Sequence, residues 1–213
     1  MRLFLASYRF GAHPDRLLRL VGRPGRAAVV ANAADAWGPA RASAVVSDLV
    51  PLRRMGFDAR EVDLRDFVGA PDRLRAELSG HDLVWVRGGN TFVLRAQLAR
   101  SGADTVLTDL LREDALVYAG YSAGACVMAP SLRGLELVDD PGEVEPTCGV
   151  PVIWDGLGLI DDAIVPHYRS PGYEPAESAL IEEIVHRYRR DGITHRALTD
   201  DEVIVVGEGS SDA

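Results

Sequence analysis

Short apolar runs with strand character alternate with longer helical patterns along most of this 213-residue chain, and that alternation limits the architectures open to it. Strands are expected over residues 3–7, 26–31, 57–62, 82–86, 115–119, 160–165, 194–198 and 202–206. Helices are expected over 14–21, 40–55, 71–78, 91–100, 104–111 and 175–190. Residues 131–158 are rich in Gly, Pro and acidic side chains and read as loops and short strands. Strands separated by helices must run mostly parallel, and a parallel sheet must be covered on both faces. The expectation is an α/β fold in three layers, a mainly parallel sheet with helices on both sides. Residues 1–206 are expected to form one domain and 207–213 a frayed tail. In such a fold, functional loops gather at the carboxyl ends of the strands.

Composition removes several classes of function. The net charge is −9, with 32 acidic and 23 basic side chains, whereas a nucleic-acid binder normally carries a basic excess or stripe. All 23 basic residues are arginine. Without lysine there can be no pyridoxal Schiff base, no aldolase-type lysine and no phosphate-loop lysine. Cys126 and Cys148 make neither a disulfide framework nor a paired-cysteine zinc site, and no His/carboxylate spacing suggests a metal. No cofactor is expected. The first apolar run is interrupted at Arg9, and no window approaches the roughly 20 apolar residues of a membrane span. A cytoplasmic protein with no membrane or nucleic-acid partner is expected.

The stretch from Ala115 to Ala125 carries the most chemistry. Gly120-Tyr121-Ser122-Ala123-Gly124 is a Gly-x-Ser-x-Gly pattern directly after a buried strand and directly before a helix, the context of a nucleophile elbow. The Ala123 amide opens the helix, where free N–H groups favour developing negative charge. The same residues also fit a tight turn with an N-capping serine. Arg87-Gly88-Gly89-Asn90-Thr91 sits at another strand end and helix start. There the Gly89 amide is a candidate second oxyanion donor; a phosphate loop or a plain glycine turn are the other readings. Of five histidines, His167 follows the apolar run 163–166, so it is expected at a strand's carboxyl end, on the same rim of the sheet as Ser122. His81 and His186 read as solvated. Cys126, four residues after Ser122, reads as a core residue rather than a reactive thiol.

Taken together, Gly88-Gly89-Asn90-Thr91-Phe92, Gly120-Tyr121-Ser122-Ala123-Gly124-Ala125 and Val165-Pro166-His167-Tyr168 resemble the motifs of the peptidase E (α-aspartyl dipeptidase) family of serine peptidases, of which cyanophycinase is a distant member. Gly156-Leu157-Gly158-Leu159 fits as well, and the resemblance runs from the first strand to about residue 206. It implies a flavodoxin-like fold related to class I glutamine amidotransferases, with serine in place of their cysteine. Ser122 would be the nucleophile, His167 the general base, and Gly89 and Ala123 the oxyanion donors. The orienting acid would follow the serine at a short distance, where Glu136 is the choice and Asp139 and Asp140 come next. Asn90, Arg133 and Arg169 are candidate substrate-binding residues. Aspartyl dipeptidases carry an arginine after the histidine, but the region here, Glu174-Pro175-Ala176-Glu177-Ser178, is acidic. Strict aspartyl specificity is therefore not expected, although Arg87, Arg133 or Arg169 could supply a cation from elsewhere. The expected partner is a short peptide substrate, with a homodimer as the expected assembly. A non-catalytic ligand-binding module and a different acyl hydrolase are the alternative readings.

Overall fold

Alternation within the strands sorts their side chains into two apolar layers, one on each side of the sheet. In β1 (Arg2–Ala6), Leu3 and Leu5 enter one layer while Phe4 and Ala6 enter the other. The strands β2 (Arg26–Val30), β3 (Asp58–Glu61), β4 (Leu83–Val86) and β5 (Val117–Tyr121) follow in the same sheet. In β2, β4 and β5, Ala28, Val30, Val84, Val86 and Tyr118 face the first layer; Val29, Leu83, Trp85, Val117 and Ala119 face the second. A computed structural model describes residues 1–207 of the chain. The expected tail at 207–213 lies, apart from Gly207, outside the described residues.

Helices α1 (Pro14–Val21) and α2 (Ala40–Arg54) cover the Trp85 face through Leu17, Leu20 and Leu52. The opposite face is covered by α3 (Pro71–Leu78), α4 (Thr91–Ser101), α5 (Ala103–Arg112), α6 (Ala123–Cys126), α7 (Val144–Cys148) and α8 (Pro175–Arg190). Proline in the first turn starts α1, α3 and α8, where its missing N–H costs nothing. Two short strands, β6 (Ala163–Val165) and β7 (His195–Ala197), precede the last, β8 (Val203–Val206). The six-stranded sheet has the order β3-β2-β4-β5-β1-β8, parallel except for β8, which pairs antiparallel with β1. The fold is α/β, with a mainly parallel sheet between two helical layers.

Register decides which loops meet. Ala6 pairs with Tyr121 and Val86 with Gly120. Ser7, Gly88 and Ser122 therefore leave the sheet side by side at its carboxyl rim.

Two expectations need correction. The strand before His167 is not in the main sheet: β6 pairs in parallel with β7 in a separate two-stranded sheet packed under α8. The stretch 131–158 is loop, as expected, but helical turns stand in place of the short strands. It holds α7 and two 3-10 turns, Leu135–Leu137 and Pro141–Glu143, and its only β feature is the isolated Ser131–Asp155 bridge. Asp140 caps the second turn by accepting from the Gly142 amide, which is why a Pro-Gly segment winds up rather than extending. Among the described residues, no helix is long and apolar enough to cross a membrane.

Candidate active site

Ser122 occupies φ 50°, ψ −116°, between the end of β5 and the start of α6. A serine held there costs on the order of 1–3 kcal/mol, and surrounding contacts must impose it. They are visible. The Ser122 amide donates to the carbonyls of Ala6 and Ser7, and the Tyr118 hydroxyl donates to the Gly124 carbonyl at 2.6 Å. A Cβ at Gly124 would collide with the Val86 carbonyl, so only glycine lets the new helix pass this close to β4. A Cβ at Gly88 would come within 2.8 Å of the Ser122 Cβ, so the glycine loop seats directly against the serine. The Ser122 side chain makes no capping bond to its own helix. The N-cap reading fails for that reason, and the hydroxyl is left to face the rim.

There it meets His167. Nε2 of the imidazole lies 3.1 Å from Ser122 Oγ, and Nδ1 lies 2.7 Å from Asp200 Oδ1. His167 itself has φ 64°, and its amide donates to Ser7 Oγ at 2.7 Å. The Ser7 hydroxyl in turn donates to Asp200 Oδ1 at 3.0 Å, and the Asp200 amide donates to Ser170 Oγ at 2.8 Å. The carboxylate beside Nδ1 fixes the tautomer. It can only accept, so Nδ1 carries the proton and Nε2 presents its lone pair to the serine hydroxyl.

The acid expected from the sequence is elsewhere. Glu136 accepts from the Gly134 amide at 2.5 Å and faces Arg187 at 3.9 Å, turned onto its own loop and α8. Asp139 lines the cleft, where burial pushes its carboxyl pKa up, and it accepts from the Thr91 amide at the start of α4. Asp140 is spent on its cap. Asp200 went unseen because it lies in an ordinary-looking acidic run, Asp200-Asp201-Glu202, before the last strand. Parallel pairing of Val165 with Ala197 brings His167 and Asp200 out at one end of the same small sheet. No local pattern announces that.

Gly89 lines the same cleft as Ser122, Ala123 follows the serine in the chain, and neither backbone amide has a hydrogen-bond partner among the described residues. Asn90 lines the cleft, but its side chain is fully engaged. Oδ1 caps α4 through the Phe92 and Val93 amides, and Nδ2 donates to the Asp140 carbonyl and Glu143 Oε2. Arg133 and Arg169 do not reach the cleft: the first stacks on Trp154, and the second pairs with Glu182 at the surface. The cations that do line it are Arg9 and Arg87. Arg87 is buried, faces Asp48 at 3.3 Å and lies over Trp37. The cleft encloses about 510 Å³, with the carboxyl groups of Asp139 and Glu143 in its lining. The buried Cys126 thiol points at the Ile164 carbonyl, and burial raises its pKa, which is the state of an inert thiol. His81, read as solvated, is buried, with Nδ1 at 2.9 Å from the Glu77 carbonyl and Nε2 facing Arg60.

The chain is similar to known proteins. Residues 50–212 match the family described as Peptidase family S51. The uncharacterised peptidase Lin0382 of Listeria innocua is 28% identical over 165 residues, 76% of each chain. Peptidase E of Streptomyces coelicolor is 38% identical over 110 residues, which span 52% of this chain and 41% of that one. In fold, the chain is similar to a crystal structure from Listeria monocytogenes EGD-e described as a candidate peptidase E protein. That match has a TM-score of 0.76 at 21% identity and covers 96% of this chain and 97% of the other. With the family match spanning most of the sequence, the chain belongs to peptidase family S51.

Proposed function

We propose that this peptidase hydrolyses short peptides through an acyl-enzyme, with Ser122 as nucleophile, His167 as general base and Asp200 as the acid that orients it. The observation that carries the reading is the unbroken relay from Ser122 Oγ to His167 Nε2, 3.1 Å, and from His167 Nδ1 to Asp200 Oδ1, 2.7 Å. As Oγ bonds to the scissile carbonyl carbon, its proton passes to Nε2, and the carbonyl π electrons move onto oxygen. The amides of Gly89 and Ala123 then receive that oxyanion; one such donor contributes about 3–4 kcal/mol to transition-state stabilisation. When the tetrahedral centre collapses, the C–N bond breaks and the leaving amine takes the proton from imidazolium. Water, deprotonated by the same nitrogen, attacks the ester and releases the acid.

The size and charge of the cleft favour small substrates. A lining that holds both arginines and carboxyl groups suits a dipeptide whose ends are both ionised. The acidic stretch 174–178 speaks against strict selection of aspartyl peptides. A fluorophosphonate probe should label Ser122 in the native protein, and a dipeptide library read by mass spectrometry should show turnover that Ser122→Ala abolishes. Native protein that is neither labelled nor hydrolytic would end the proposal.

A further inference from the structure

Asp200 is not held in place by depth. About 23% of its side chain is exposed, against 17% for His167, so the carboxylate needs partners to stop it rotating away from the imidazole. Ser7 Oγ serves Oδ1. The partner for Oδ2 is Tyr173, whose hydroxyl donates to it at 3.1 Å. The same hydroxyl oxygen lies 2.6 Å from His167 Nδ1. Since Nδ1 carries the proton and the tyrosine proton is committed to Asp200, the Tyr173 oxygen can only accept from Nδ1–H. One imidazole proton is thus shared between two acceptors, Asp200 Oδ1 and Tyr173 Oη.

We propose that Tyr173 is a positioning residue for the His167–Asp200 pair, fixing the carboxylate and serving as a second acceptor for the imidazole N–H. This rests on the serine-peptidase reading above. Local chain geometry supports it. The loop between β6 and α8 folds back on itself through left-handed conformations at His167, Arg169 and Gly172, and Ser170 N bonds to His167 O at 3.2 Å. That reversal brings Ser170 to the Asp200 amide and Tyr173 to its carboxylate, so one loop grips the acid at main chain and side chain together. The rings pack as well. The Tyr173 ring lies tilted against the imidazole at 5.0 Å between centroids, and Tyr8 makes an edge contact with it at 6.4 Å. Burial and the Asp200 charge push the Tyr173 hydroxyl pKa up, which keeps its proton in place as a donor.

The role is separable from substrate contact, although Tyr173 also lines the cleft. Tyr173→Phe removes only the hydroxyl. It should lower kcat about tenfold with KM within about twofold, slow fluorophosphonate labelling of Ser122 in proportion, and shift the downfield proton resonance of the His167 N–H. In Asp200→Ala the tyrosine oxygen becomes the remaining acceptor. Adding Tyr173→Phe there should cost clearly more than about tenfold, a coupling of the kind that contacting residues show. The inference is overturned if Tyr173→Phe keeps wild-type kcat, labelling rate and N–H resonance, or if only KM changes. Wild-type protein that is neither labelled nor active would instead refute the underlying reading.

Discussion

A serine hydroxyl attacks an amide at neutral pH only if its proton has a destination, and the destination works only if its far side is anchored. Here each atom of that sequence has a partner. Ser122 faces Nε2, Nδ1 faces Asp200, and Asp200 is held by Ser7 and Tyr173. Carboxylates that look equivalent in the sequence do not share this placement. Glu136→Gln should leave kcat/KM within about twofold, as expected for a substitution far from the reacting atoms. Asp200→Ala should lower it by on the order of 10³, less than the ~10⁴ of a wholly misoriented base because Tyr173 still accepts the N–H. Steady-state kinetics on one dipeptide substrate checks both. Equal losses in the two variants would contradict the assignment of Asp200.

Elements explain why the candidate nucleophile stood out in the sequence and the carboxylate beside the imidazole did not. The elbow is a local object: β5, a positive-φ serine and α6 follow one another without a break, and the glycines that allow it are written beside the serine. Gly124→Ala would drive a methyl group into the Val86 carbonyl, so either α6 or β4 must shift. A destabilisation of about 1–3 kcal/mol is expected, measured by urea unfolding, together with loss of Ser122 labelling as the serine leaves its strained position. The acid depends instead on β6 and β7, separated in sequence by α8, and on their parallel register. Each of these strands is only three residues long, so neither shows its partner in its own pattern. The small sheet they form lies outside the main one.

Across the whole molecule, the candidate site and a buried histidine sit on opposite rims of the sheet. Ser7, Gly88 and Ser122 leave the carboxyl ends of β1, β4 and β5, whereas His81 lies just before β4, at the amino end. Burial, aided by the Arg60 and Arg26 charges, lowers the His81 pKa against the opposing Glu77 carbonyl. The folded state therefore binds a proton there less readily than the unfolded chain, whose histidine titrates near 6.5. Stability from this group is complete above that value and is lost as pH falls through the depressed folded value. Melting temperatures between about pH 7.5 and about pH 5.5 should drop more steeply for the wild type than for His81→Gln. An identical slope in the two proteins would contradict it. Strand and helix alternation, the two-faced core, the elbow at Ser122 and the candidate donor amides of Gly89 and Ala123 were all legible in the sequence, because each depends on residues near one another in the chain. The carboxylate at Asp200, the hydroxyl of Tyr173 and the separate sheet that carries His167 were decided by tertiary structure. Their meeting depends on a backbone register set between distant segments, and a linear pattern does not record that register.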